Sequence, residues 1–175
     1  MSLFEKKIST ERLTLDAITD KDFESLIAIL KDDTVSKTYM VPSLKTPEDE
    51  KRIFSALSDL SRRSDRYVYG IFLREKLIGI VNDTEIEGKV IELGYAISPE
   101  FFGKGYMTEA LKGLIKHLFF RGFKQILCGA FEDNAASIRV MQKCGMRKIR
   151  KTEDLVYRNE KHLCVFYSVK SHSFK

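Results

Sequence analysis

Three short segments of the chain combine residue types that bind anions or move protons. The first is KVIELGYAI at 89–97. Alternation along a strand puts Ile91, Leu93, Tyr95 and Ile97 on one face and Glu92, Gly94 and Ala96 on the other. A carboxylate beside two very small residues leaves room for a thin ligand against the backbone, although a sheet packed on a helix uses small residues in the same way. The second is SPEFFGKGYMTEA at 98–110, where Gly103-Lys104-Gly105 feeds the start of a helix. Such a turn aims unpaired backbone N–H groups at one point, and the helix dipole adds roughly +0.5 charge there. That arrangement suits an anion; the bland reading is a tight turn whose glycines only shape the chain. Thr108 stands where a dinucleotide fingerprint needs its third glycine, and no GxxxxGK[ST] occurs. The third is EDNAASIRVMQKCGM at 132–146, with Asn134 as a helix N-cap and Ser137 one turn in.

The elements that must position these residues are legible from periodicity. A short strand is expected at 12–17, then Thr19 and Asp20 as N-cap candidates for a helix with an apolar stripe at Phe23, Leu26, Ile27 and Leu30. Thr46-Pro47-Glu48-Asp49 reads as a cap, a proline at the first helical position and acids in the first turn of a helix reaching about Arg63. Residues 67–97 alternate as an antiparallel meander of three strands. Apolar residues at Met107, Ala110, Leu111, Leu114, Ile115 and Leu118 predict one long amphipathic helix over 103–121. A strand at 125–131, a helix at 134–143 closed by Gly145, and strands near 146–152 and 162–169 complete a mixed α/β, α+β chain.

Composition limits what such a site can serve. A length of 175 residues and 43% hydrophobic content predict one domain over 1–175 with a single core. No apolar run approaches the ~18 residues of a membrane helix, and charge in MSLFEKKIST argues against a signal peptide, so a cytoplasmic protein without a membrane partner is expected. Cys128, Cys144 and Cys164 read as reduced core residues, and His117, His162 and His172 show no metal-ligand spacing, so no metal is expected. Residues 1–100 hold 15 Lys and Arg against 19 Asp and Glu, and residues 101–175 hold 15 against 6, giving −4 and +9. The basic half fits an anionic ligand or a solvated surface. The run RKIRK at 147–151 reads as a solvated strand edge, and no nucleic-acid partner is expected.

Taken in order, TERLTLDAITDKD, IELGYAISPEFFGKGYMTEALKGLI and NAASIRVMQKCGM resemble the Gcn5-related N-acetyltransferases, in the group similar to ribosomal-protein N-terminal acetyltransferases. The resemblance implies a twisted, mostly antiparallel seven-stranded sheet with a V-shaped opening, helices on both faces, and acetyl-CoA as cosubstrate. It implies that backbone N–H groups of Gly103, Lys104, Gly105, Tyr106, Met107 and Thr108 hold the pyrophosphate. Tyr95, Ala96 and Ile97 would pair with the pantetheine arm, and Asn134 and Ser137 would meet it from the other strand. Phe102 replaces the leading polar residue of the family's motif. Met107 replaces its closing small one and should narrow the turn. The tyrosine that many relatives use as acid falls at Met141.

The implied activity is acetyl transfer to a primary amine, a protein N-terminus or a small amine, by direct attack on the thioester. A protonated amine needs a base, for which Glu92 is the candidate and Glu153 and Asp154 weaker ones. Carbonyl polarisation would come from a strand N–H near Ala96 or Ile97, and Ser137 is the candidate donor to the departing thiolate. The alternatives are a CoA-binding protein of the same fold without transfer activity and a nucleic-acid binder. A monomer and a homodimer are both compatible with this reading.

Overall fold

The structure is a computed structural model that describes residues 6–174. Residues 1–5, from which part of the no-leader reading was drawn, lie outside the described residues. Its elements are β1 (Ile8–Ser9), β2 (Leu13–Asp16), α1 (Phe23–Lys31), α2 (Asp33–Ser36), α3 (Pro47–Arg62), β3 (Tyr69–Leu73), β4 (Lys76–Glu87), β5 (Val90–Ile97), α4 (Tyr106–Phe120), β6 (Gln125–Phe131), α5 (Ala135–Lys143), β7 (Arg147–Tyr157) and β8 (Glu160–Lys170). Among the described residues the sheet has eight strands, in the order β1-β2-β3-β4-β5-β6-β8-β7, where seven were expected. The additional strand is the two-residue β1, which pairs with β2 through Ile8↔Leu15 and Ser9↔Thr14 and is too short to leave a periodic signal. Only β5–β6 is parallel among the pairs β1–β2, β2–β3, β3–β4, β5–β6, β6–β8 and β7–β8. The class is mixed α/β, as the sequence indicates.

The chain divides into two compact units, one comprising residues to Asn82 together with Tyr95–Gly113, the other Asp83–Gly94 together with residues from Leu114. In the first, α1 buries Leu26, Ile27, Ile29 and Leu30 in a cluster with Ile18, Phe54, Val68, Phe72, Ile80 and Ala96. A capping box starts α3: Thr46 Oγ1 accepts from the Asp49 N–H at 3.1 Å, and the Asp49 carboxylate accepts from the Thr46 N–H at 3.1 Å. Two buried serines then tie α3 to the chain before α1. Ser58 Oγ donates to the Ile18 carbonyl at 2.8 Å, and Ser61 Oγ accepts from the Ile18 N–H at 2.9 Å.

In the second unit, β6 pairs along its full length with β8, from Gln125↔Lys170 to Phe131↔Cys164. The parallel register with β5 runs from Val90↔Gln125 to Leu93↔Cys128. Helix α5 ends as expected at Gly145, whose φ is +78°. The Gly145 N–H donates to the Gln142 carbonyl and the Met146 N–H to the Met141 carbonyl, closing a Schellman motif. Strands β7 and β8 extend beyond the expected ranges and meet at Arg158 and Asn159, both at positive φ.

Candidate active site

The glycine turn lies in the first unit. Gly103 and Gly105 have φ of +73° and +79°, a left-handed conformation that L side chains rarely adopt, so the turn needs glycine for its backbone. Residues 102–105 are exposed. The Glu109 N–H donates to the Gly105 carbonyl at 3.0 Å, which makes Gly105 the N-cap of α4. The helix is anchored by Glu109, whose carboxylate accepts from Thr10 Oγ1 at 2.6 Å, the Arg12 N–H at 2.7 Å and Arg12 Nε at 2.7 Å. Burial alone would push this carboxyl up, but those hydrogen bonds and the Arg12 charge outweigh it and hold it below the usual range. Arg12 also donates from Nη1 to the Lys104 carbonyl at 3.2 Å and lies over the Tyr106 ring at 4.4 Å. A Cβ at Gly113 would sit 2.7 Å from Thr10 Cγ2, so glycine inside α4 permits this close approach. Met107, in the first turn of α4, is buried.

Strand β5 departs from strict alternation. Ile91 and Leu93 are buried and Glu92 is not, as expected, but Ala96 and Ile97 are both buried. The side chain of Ala96 packs in the hydrophobic cluster with α1, so the small face is not open along its whole length. The bland account of its small residue, close packing under a helix, applies at that position.

Glu92, in the second unit, has 19% of its side chain exposed. One carboxylate oxygen accepts from Thr84 Oγ1 at 3.1 Å and the other from Lys151 Nζ at 3.1 Å. Lys151 lies 3.4 Å from Glu153 and 4.2 Å above the Phe166 ring. Burial pulls the Lys151 ammonium down, but the hydrogen bond and charge of Glu92, with Glu153, leave its pKa raised. The register of β7 against β8 shifts between Lys148 and Thr152. Arg147, Lys148 and Arg150 of RKIRK are exposed, whereas Ile149 and Lys151 are half-buried. Burial pushes the neighbouring Cys164 thiol up to about 11, with Glu153 and Glu92 adding to it and Lys151 opposing. All three cysteines are free and buried, as the sequence indicates.

Asn134 caps α5, its Oδ1 accepting from the Ser137 N–H at 3.1 Å. Met141, one turn further, is completely buried.

Over residues 12–147 the sequence matches the family described as an acetyltransferase (GNAT) domain. The chain belongs to the GNAT family. Among its relatives is the uncharacterized N-acetyltransferase YoaA of Bacillus subtilis, 28% identical over 157 residues that cover 87% of this chain and 89% of that one. The ribosomal-protein-serine acetyltransferase of Escherichia coli is 28% identical over 116 residues, 62% of this chain and 63% of that one. RimL, a ribosomal L7/L12 alpha-N-protein acetyltransferase solved with coenzyme A, shares the fold with a TM-score of 0.80 at 20% identity, over 94% of this chain and 97% of that chain.

In this GNAT chain the turn presents exposed backbone at the start of α4, and Glu92 is held by Thr84 and Lys151. Glu153 stands beside Glu92 through Lys151, whereas Asp154 pairs in register with Leu163 and is exposed. Sequence reasoning missed Arg12, Glu109 and Lys151. Arg12 and Glu109 are separated by 97 positions, so no spacing rule links them. For Lys151 a partial signal existed: RKIRK is four basic residues around one isoleucine, and alternation puts Lys151 on the face of Ile149. Among the described residues no group of His, Cys, Asp and Glu could hold a metal, and no helix is long and apolar enough to cross a membrane.

Proposed function

We propose that the chain, acting as one acetyltransferase domain, transfers the acetyl group of acetyl-CoA to a primary amine by direct attack on the thioester. The observation that carries this reading is the exposed Gly103–Gly105 turn, left-handed at both glycines, opening a 15-residue helix inside a GNAT domain. Backbone N–H groups from Gly103 to Thr108 hold the cosubstrate's pyrophosphate. Tyr95, Ala96 and Ile97 pair with its pantetheine arm through their backbone, and Asn134 and Ser137 meet that arm from α5. Acetyl-CoA supplies the activated acetyl group. Glu92 takes the proton from the incoming ammonium, directly or through water, and Lys151 and Thr84 hold its two oxygens in place. A strand N–H at Ala96 or Ile97 polarises the carbonyl, and Ser137 donates to the departing thiolate.

The acceptor is a protein N-terminus or a small amine. The names of the ribosomal-protein relatives favour the first. A cytoplasmic setting fits three buried cysteines that remain thiols. The test is thiol release from acetyl-CoA in the presence of N-terminal peptides and a panel of small amines. Amine-dependent release supports the reading; CoA binding without release for any amine leaves only a binding protein and overturns it.

A further inference from the structure

The glycine turn has a brace that its own sequence does not contain. Arg12 lies just before β2, and its guanidinium makes three contacts on one side of the turn: Nε with the Glu109 carboxylate at 2.7 Å, Nη1 with the Lys104 carbonyl at 3.2 Å, and its plane over the Tyr106 ring at 4.4 Å. Glu109 is itself fixed by Thr10 Oγ1 and the Arg12 backbone N–H, so the guanidinium is held at both ends of its fork. The nearest heavy atom to a Cβ built on Gly105 is Arg12 Nη2 at 3.6 Å.

The Lys104 carbonyl and the Gly105 N–H belong to one planar trans peptide, in which they point in opposite directions. Fixing the carbonyl therefore fixes the N–H. Without that constraint the peptide can rotate, because glycine at 105 accepts either sign of φ at little cost. After such a rotation the carbonyl would face the anion that the N–H is meant to receive. Arg12 serves a second purpose: Glu109 puts a negative charge in the first turns of α4, where it would repel a bound phosphate, and Arg12 neutralises it at 2.7 Å.

We propose that Arg12 is a positioning residue for the cosubstrate, locking the Lys104–Gly105 peptide so that the Gly105 N–H faces the pyrophosphate of CoA. The proposal rests on the acetyl-CoA reading above. It predicts a loss of affinity for any CoA form that retains the pyrophosphate, whether or not the 3′-phosphate is present.

Calorimetric titration of the wild type, R12Q and R12K with CoA and with dephospho-CoA separates the outcomes without knowledge of the acceptor. The expected result is binding about tenfold weaker in R12Q for both ligands, about 1.4 kcal/mol. R12K should recover part of it, since one ammonium reaches the Glu109 carboxylate or the Lys104 carbonyl but cannot fork between them. In ¹⁵N-labelled protein the Gly105 amide should move on adding CoA, and move less in R12Q. A loss confined to CoA and absent with dephospho-CoA would assign Arg12 to the 3′-phosphate and overturn the proposal. So would a lowered melting temperature with unchanged affinity, which marks a merely structural ion pair. If R12Q does not fold, R12K read in the same way decides. Failure of the wild type to bind CoA would instead overturn the acetyl-CoA reading itself.

Discussion

A carboxylate that accepts from both a hydroxyl and an ammonium is well oriented, and that orientation limits where an incoming amine can deliver its proton. Glu92 is in this position between Thr84 and Lys151. If it is the base, Glu92→Gln keeps the shape and removes the proton acceptor, so kcat should fall by roughly 10² or more at pH 7 while the affinity for CoA changes little. Steady-state kinetics beside CoA titration measures both; an unchanged kcat makes the Lys151 pair purely structural. Ser137 poses a different question, because its backbone N–H already serves the Asn134 cap. Truncating the hydroxyl leaves that cap in place. Ser137→Ala should therefore lower kcat at least tenfold with a small change in melting temperature. Full activity per folded molecule would remove Ser137 from the chemistry. Moving a tyrosine into position 141 is no remedy, since Met141 is completely buried and a larger ring there would overpack the core, typically at about 1 to 3 kcal/mol. These residues were legible singly because strand alternation and cap signals are local. The Lys151–Glu92 pair was not, because the two lie 59 positions apart and no local rule links them.

At the scale of elements, the long-range pairs decide what local rules cannot. Thr46-Pro47 and Asn134 announced their helices, and Gly145 its C-terminus, because capping is written in four or five consecutive residues. The two-residue β1 left no such mark, and the burial of Ala96 depends on α1 lying over it. The seat of α4 on Thr10 and Arg12 belongs to the same class and has a pH signature. Glu109 is held below the usual carboxylate range in the folded chain, against its own burial, by Thr10 and Arg12. Its ionised form is thus favoured by folding: the contribution is present above the ordinary value of 4.5 and is lost as pH falls through the lower folded value. Glu109→Gln should be less stable than the wild type at pH 7, and the difference should narrow as pH drops below 4.5. Urea unfolding at a series of pH values measures it, and a difference that stays constant with pH would show that the carboxylate charge plays no part.

For the whole molecule, charge and cosubstrate are the same question. The first 100 residues carry −4 and the remainder +9, and the positive part begins at the glycine turn. A polyanionic cosubstrate is favoured by that asymmetry, but the asymmetry alone cannot select CoA, since any phosphate-bearing ligand profits from it. In the proposed reading backbone geometry does the selecting, and the turn offers a direct way to separate the two. A ligand that binds only the folded chain raises its stability by about 2.7 kcal/mol at 100 times its dissociation constant. Gly105→Ala adds one methyl to a residue with φ of +79° and leaves every charge in place. The left-handed conformation then costs roughly 1 to 2 kcal/mol in the free protein, and the methyl crowds the surface against which the pyrophosphate is proposed to lie. Thermal unfolding with and without CoA should show a lower starting stability and most of the CoA-induced shift gone. If attraction between opposite charges were the whole of binding, the variant would lose stability yet keep its shift, and that shift would fade with added salt in both proteins alike.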